Sequence, residues 1–166
     1  QWNDLKPASS KKEGLTSIIP MGYRAVSIPV DNIASVSGLV KPGNQVDIIG
    51  TFVFPDMKGD RSLDTLTLTI LQNVTVLATG ADMGPAMSTY RENMSRSYAS
   101  VSLSLTPKEV EMIIFASQKG KLTLSLRNHE ETNIETNLQS VNFRYLEQNL
   151  QRYNEERARR MHFNRD

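Results

Sequence analysis

Residues 99–127 read ASVSLSLTPKEVEMIIFASQKGKLTLSLR. This stretch holds two segments, 99–105 and 121–127, in which apolar and small polar residues alternate, the period-2 pattern of a half-buried strand. Between them, Thr106, Pro107 and Glu109 have the spacing of a helix start. Threonine can cap free N–H groups, proline suits the first helical position, and glutamate three residues after the cap completes a capping box. The stretch therefore predicts a strand, a helix and a second strand.

The predicted helix is short and amphipathic. Val110, Ile113, Ile114 and Ser117 recur at spacings of three and four, which is the pattern of a helix face packed against a core. Gly120 is placed where such a helix would end.

The rest of the domain adds strands rather than helices. Lys41-Pro42-Gly43-Asn44 is a turn signal, because proline presets φ and the next two residues tolerate positive φ. Further strands are predicted at residues 23–30, 45–54, 63–69 and 74–78. The strand–helix alternation of a doubly wound sheet is missing. We therefore predict an α+β domain that is β-rich, with a largely antiparallel sheet and one short amphipathic helix.

The composition changes at both ends of the chain. Residues 1–14 are polar and predict a flexible arm, and residues 15–128 hold the β-rich domain. Residues 129–137 are polar and acidic, as in a linker, and residues 138–166 predict a separate, basic, amphipathic helical tail.

Two segments are candidate partner-binding surfaces. The tail could dock its apolar face on a partner, self-associate, or fold back on its own domain. The loop at residues 80–97 carries methionines that could form an adaptable partner surface or simply cover a sheet edge. The candidate residues are Met83, Met87, Met94, Phe143, Leu146, Leu150, Tyr153, Arg157 and Arg160.

The sequence offers little chemistry to a catalyst. The 166 residues include no cysteine, and the formal net charge of +1 does not predict nucleic acid as a partner. His129 and His162 lie in polar segments without metal-ligand spacing. Asp31 and Asp47 lie nearest to apolar strands, and could act as an acid/base pair or bond to turn N–H groups. We interpret both as structural, and predict no catalytic residue, cofactor or metal.

The order of five segments resembles the CpaB/RcpC family of Flp/Tad pilus assembly proteins. Residues 19–26 are similar to the family pattern IP-x-G-x-RAV, and residues 38–48 to G-x-V-x-PG-x-x-VDV. Residues 71–78 resemble LQNV-x-VLA, and residues 120–128 resemble G-x-L-x-L-x-LRN. The segment at 101–109 lies between the last two, so the resemblance covers roughly residues 14–128.

The resemblance implies a non-enzymatic periplasmic scaffold of a Tad/Flp (type IVb-like) pilus, acting with the outer-membrane secretin and other assembly proteins. It also implies a SAF-type β-clip region ahead of this domain, and an inner-membrane anchor through a segment that this chain does not contain. It assigns no catalytic residue, and suggests that Arg24 and Arg127 pair with the two aspartates. Self-association and a peptidoglycan-binding module are alternatives, the latter by analogy only. An enzyme or enzyme accessory domain is a third reading, and would need a polar cleft with perturbed carboxylates.

Overall fold

The computed structural model of this chain describes residues 15–30, 39–54, 59, 61–80 and 99–163. Its strands and helices, in chain order, are β1 (Arg24–Val30), β2 (Gln45–Val53), β3 (Thr65–Gly80), β4 (Ala99–Leu105), α1 (Pro107–Lys119), β5 (Gly120–Leu126) and α2 (Phe143–Phe163). Short 3-10 turns lie at Leu15–Ser17 and Arg61–Leu63. The predictions for the arm at 1–14, for Asp31 and for the loop methionines Met83, Met87 and Met94 fall outside the described residues.

The described strands form one five-stranded sheet in the order β1-β4-β3-β2-β5, and each neighbouring pair is antiparallel. This confirms the α+β prediction with a β-rich, antiparallel sheet. The edge strands β1 and β5 approach each other, and α1 contacts both of them. The sheet is therefore strongly curved, and α1 lies across the gap between its two edges.

The core fills the space between the concave face of the sheet and α1. Strand residues with every second side chain buried supply most of it, as expected for strands that have one covered face. Its largest fully buried side chains are Ile28, Ile48, Leu103, Leu105, Ile113, Leu124, Val46 and Val76.

The helix start predicted at Thr106 is confirmed, and the predicted buried face is partly wrong. The Thr106 N–H donates to the Glu109 carboxylate over 2.7 Å, which satisfies one of the free donors at the helix start. Ile113 and Ala116 are buried, whereas Ile114 is exposed. Successive helix residues are 100° apart, so a narrow contact centred on Ile113 leaves Ile114 outside it.

The two strands predicted at 63–69 and 74–78 are one continuous strand, β3. The residue at the expected break, Asn73, has a φ of 56°, a left-handed conformation that asparagine tolerates better than most side chains. The registers of β3 with β2 and β4 shift at three points, each placing an extra residue on β3. Such bulges bend a strand, which allows β3 to continue through a strongly curved sheet.

Candidate interaction surfaces

The apolar face predicted for the tail is present on α2 and is exposed. Phe143 has 64% of its surface exposed, and Leu146, Leu150 and Tyr153 are also exposed. Arg157 and Arg160 continue the same face and are exposed as well. α2 nevertheless contacts the domain at the turn Arg61–Leu63. The four apolar residues stay about half exposed or more, so the described domain does not cover this face.

The start of α2 is fixed by a cap and a bridge. The Asn142 side-chain oxygen accepts a hydrogen bond of 2.9 Å from the Tyr145 N–H, the bond of a helix N-cap. One residue earlier, Val141 bridges Thr67 of β3 through two backbone hydrogen bonds of 2.9 and 2.7 Å. The helix consequently leaves the domain from a defined point on β3.

The connection between β5 and α2 lies along the first half of β3. Strand β4 pairs with the second half of β3, from Thr75 onward, so no described strand pairs with this side of the first half. Gln72 bonds to both backbone groups of Glu135 there, donating to its carbonyl over 2.9 Å and accepting from its N–H over 3.0 Å. The residues predicted as a linker, 129–137, form no helix or strand, but they are fastened to the sheet.

An ion pair at the end of β5 anchors this connection. The Arg127 Nε lies 2.6 Å from Asp47 Oδ1, and their side chains are 5% and 21% exposed. The same carboxylate oxygen accepts the N–H of Asn73 over 2.8 Å, and Arg127 donates to the Glu131 carbonyl over 3.3 Å. This confirms the pairing of Asp47 with Arg127, and gives Asp47 a structural role beside the Asn73 bulge.

The outer face of α1 is an apolar surface that the sequence analysis missed. Met112, Ile114 and Phe115 are exposed, and Phe115 has 63% of its surface exposed. The Lys119 Nζ lies 6.0 Å from the centre of the Phe115 ring, at the outer limit of a cation–π contact. The sequence does indicate this surface. Residues 112–116 are all apolar, so they place apolar side chains around more of the helix circumference than a single buried stripe requires.

The remaining candidates for reaction chemistry are the two histidines and a pair of tyrosines. In the described part of the chain, no group of three or more His, Asp or Glu side chains is placed to hold a metal ion. His129 is exposed and lies 3.7 Å from Glu130; the side chain of His162 is outside what the structure describes. The Tyr145 and Tyr153 hydroxyls are 2.8 Å apart, and this hydrogen bond is the main cause that raises the pKa of Tyr145, followed by burial.

The comparison with protein families concerns the β-rich domain. A family model described as Flp pilus assembly protein RcpC/CpaB matches residues 13–127. The chain belongs to this family. No curated protein and no solved structure gives a significant match to the chain. The RcpC/CpaB match supports a role in pilus assembly, and it ends at Arg127, so the connection and α2 lie beyond it.

The outward face of α1 lies within the RcpC/CpaB match, and the outward face of α2 lies outside it. Neither α1 nor α2 is long and apolar enough to cross a membrane, and no other described helix is either.

Proposed function

We propose that this RcpC/CpaB protein is a non-enzymatic periplasmic scaffold of a Tad/Flp pilus machine, and that it acts with the outer-membrane secretin. The outward face of α1 carries the proposal. A function common to the family belongs in the matched region, and this face is the exposed apolar surface of a helix there.

The α1 face has the composition of a protein interface. Its centre is apolar, with Met112, Ile114 and Phe115 exposed. Its rim is charged, with the exposed Lys108–Glu111 pair before it and Lys119 after it. An apolar centre with a polar rim is typical of protein–protein contacts. Burying an aromatic side chain such as Phe115 in a partner contributes about 1.5–3 kcal/mol by the hydrophobic effect.

The α1 face also has a rigid support, which favours binding without rearrangement. Ile113 and Ala116 fix the opposite side of α1 in the core, and the Thr106–Glu109 bond fixes its start. A helix held in this way loses little conformational entropy when its outer face binds a partner.

The test is photo-crosslinking in cells from position 115 of the full-length protein. A photoreactive residue replaces Phe115, and the control places the same residue at His129, which is exposed and lies outside the family match. We expect adducts with the secretin or another pilus assembly protein at position 115, at least five-fold above position 129. Equal labelling at both positions, or adducts only with proteins outside the pilus machine, would overturn the assignment.

Two further measurements separate the parts of the proposal. Protease accessibility in spheroplasts tests the periplasmic location, because a periplasmic domain is degraded only after the outer membrane is opened. Co-sedimentation with purified peptidoglycan tests the wall-binding alternative. A scaffold made of protein contacts stays in the supernatant, whereas sedimentation that free glycan fragments compete away would favour the wall-binding reading.

A further inference from the structure

We infer that α2 pairs with the α2 helix of a second copy of this chain, in the antiparallel direction. The inference goes beyond the proposed function, which uses α1, and concerns the part of the chain that lies outside the family match.

The spacing on the exposed face of α2 is that of a two-helix seam. Its residues follow one another at intervals of three, four, three, four and three: Phe143, Leu146, Leu150, Tyr153, Arg157 and Arg160. These are the a and d positions of a heptad repeat. A helix of 21 residues is about 31 Å long, enough for six such positions in a row.

The two arginines decide the direction of pairing. In a parallel pair each a or d residue faces its own counterpart, so Arg157 would face Arg157 of the second copy, and Arg160 would face Arg160 of the second copy. Like charges placed opposite each other in a seam are unfavourable. An antiparallel pair avoids this, because the basic end of each helix then lies beside the start of the other helix and not beside its basic end.

The antiparallel register follows from the apolar residues. Leu146 faces Leu150 of the second copy, and Phe143 faces Tyr153 of the second copy. Two-fold symmetry repeats both contacts, which gives four apolar layers. Tyr153 also borders a shallow depression next to the place where Phe143 of the second copy packs. This depression is lined by Tyr153, Glu156, Arg157, Arg160 and Met161.

The charges along the chain are complementary to this arrangement. An acidic connection with exposed Glu130, Glu131 and Glu135 precedes α2, and the last turns of α2 carry exposed Arg157 and Arg160. The antiparallel register carries the basic end of one helix past the start of the other, towards the side from which the acidic connection arrives. Both ends of the symmetric pair then bring opposite charges together, which favours a second copy over an unrelated apolar helix.

The test is disulfide cross-linking, for which the chain is well suited because it contains no cysteine. Two variants of the 166-residue chain are made, Phe143→Cys and Tyr153→Cys, with tags of different size. They are oxidised singly and as a mixture. In the antiparallel register these positions face each other, whereas equal positions lie about 15 Å apart along the axis, too far for a disulfide.

We expect the mixture to form the heterodimer at least ten-fold more than either variant alone forms a homodimer. Cross-linking of each variant with itself would indicate a parallel pair and would overturn the inference. So would the absence of any cross-link, combined with a mass of 18.6 kDa for the untreated chain in light scattering, where the paired chain has twice this mass.

A second test adds one negative charge to the proposed seam of α2, and its matched control adds the same charge to the opposite face. Leu150→Glu should abolish the heterodimer, and Gln148→Glu, which adds the same charge on the opposite exposed face, should retain it. If both variants lose the heterodimer equally, and circular dichroism shows that both are folded, the assignment of the seam is overturned. The two proposals can fail separately. If photo-crosslinking at position 115 gives adducts but the cysteine variants do not cross-link, the pairing of α2 is refuted and the proposed function, which depends on α1, is not.

Discussion

Removing the carboxylate of Asp47 tests the ion pair that anchors the connection between β5 and α2. The Arg127 side chain has 5% of its surface exposed, and its Nε lies 2.6 Å from Asp47 Oδ1. Asp47→Ala leaves the buried guanidinium without a carboxylate and with only the long bonds to Glu131 and Gln72, which costs up to about 3–5 kcal/mol. The Asn73 N–H loses its acceptor as well, which adds about 1 kcal/mol. Domains of this size are stable by about 5–15 kcal/mol, so a large fraction of the stability is at stake.

The assay is urea unfolding followed by circular dichroism, with Glu130→Ala as the matched control because Glu130 is 83% exposed. We expect the control to change the free energy of unfolding by less than about 0.5 kcal/mol. Arg127→Met should cost less than Asp47→Ala, since it keeps the side-chain volume and leaves Asp47, 21% exposed, with water and Asn73 as partners.

Hydrogen exchange gives a second readout of the same change. Arg127 also donates to the Glu131 carbonyl, so Asp47→Ala should speed amide exchange in residues 129–137 before it affects the core strands. The reasoning is refuted if Asp47→Ala costs no more than Glu130→Ala, or if exchange in the connection is unchanged.

Gly120→Ala should destabilise the domain by about 1–3 kcal/mol, because the added Cβ overlaps the Thr51 carbonyl oxygen on β2. Urea unfolding measures the loss of stability. The control, Ser125→Ala at an exposed position of β5, should leave the free energy of unfolding nearly unchanged. Equal losses of stability in the two variants would contradict the steric explanation. Tyr153→Phe should lower the pKa of Tyr145 towards its ordinary value, since their hydrogen bond is the main cause of the raised pKa. The folded state holds the Tyr145 proton more tightly, so stability falls as pH rises above the ordinary tyrosine pKa, and Tyr153→Phe weakens this fall. Tyrosinate absorbance during titration checks the shift, and an unchanged curve would count against it.

The sequence predicted best those features that depend on neighbouring residues. The turn at Lys41–Asn44 is confirmed: the Asn44 N–H donates to the Lys41 carbonyl over 3.1 Å, and Gly43 has a φ of 87°. The start of α1 and the apolar face of α2 are likewise set by residues three or four positions apart. Such local spacing is visible in one sequence without any knowledge of the fold.

Features that depend on distant residues could not be predicted. Two separate strands were predicted at 63–69 and 74–78, whereas in the structure one strand continues through Gln72, which holds Glu135, and Asn73, which bonds to Asp47 of β2. The apolar run at 112–116 indicated more apolar surface than one buried stripe, but only the positions of β1 and β5 show that Ile113 is buried and Ile114 lies outside the contact. The spacing on α2 likewise could not decide between an exposed face and one folded back on the domain.

The bridge between Val141 and Thr67 has a practical consequence for shortening the chain. A chain cut at residue 127, where the family match ends, would lose the segment that covers the free side of β3. An uncovered strand edge with apolar neighbours is a template for pairing with other molecules, and leads to aggregation. A shortened chain that ends after Asn142 would keep this cover without α2, and should therefore stay soluble where the shorter one precipitates.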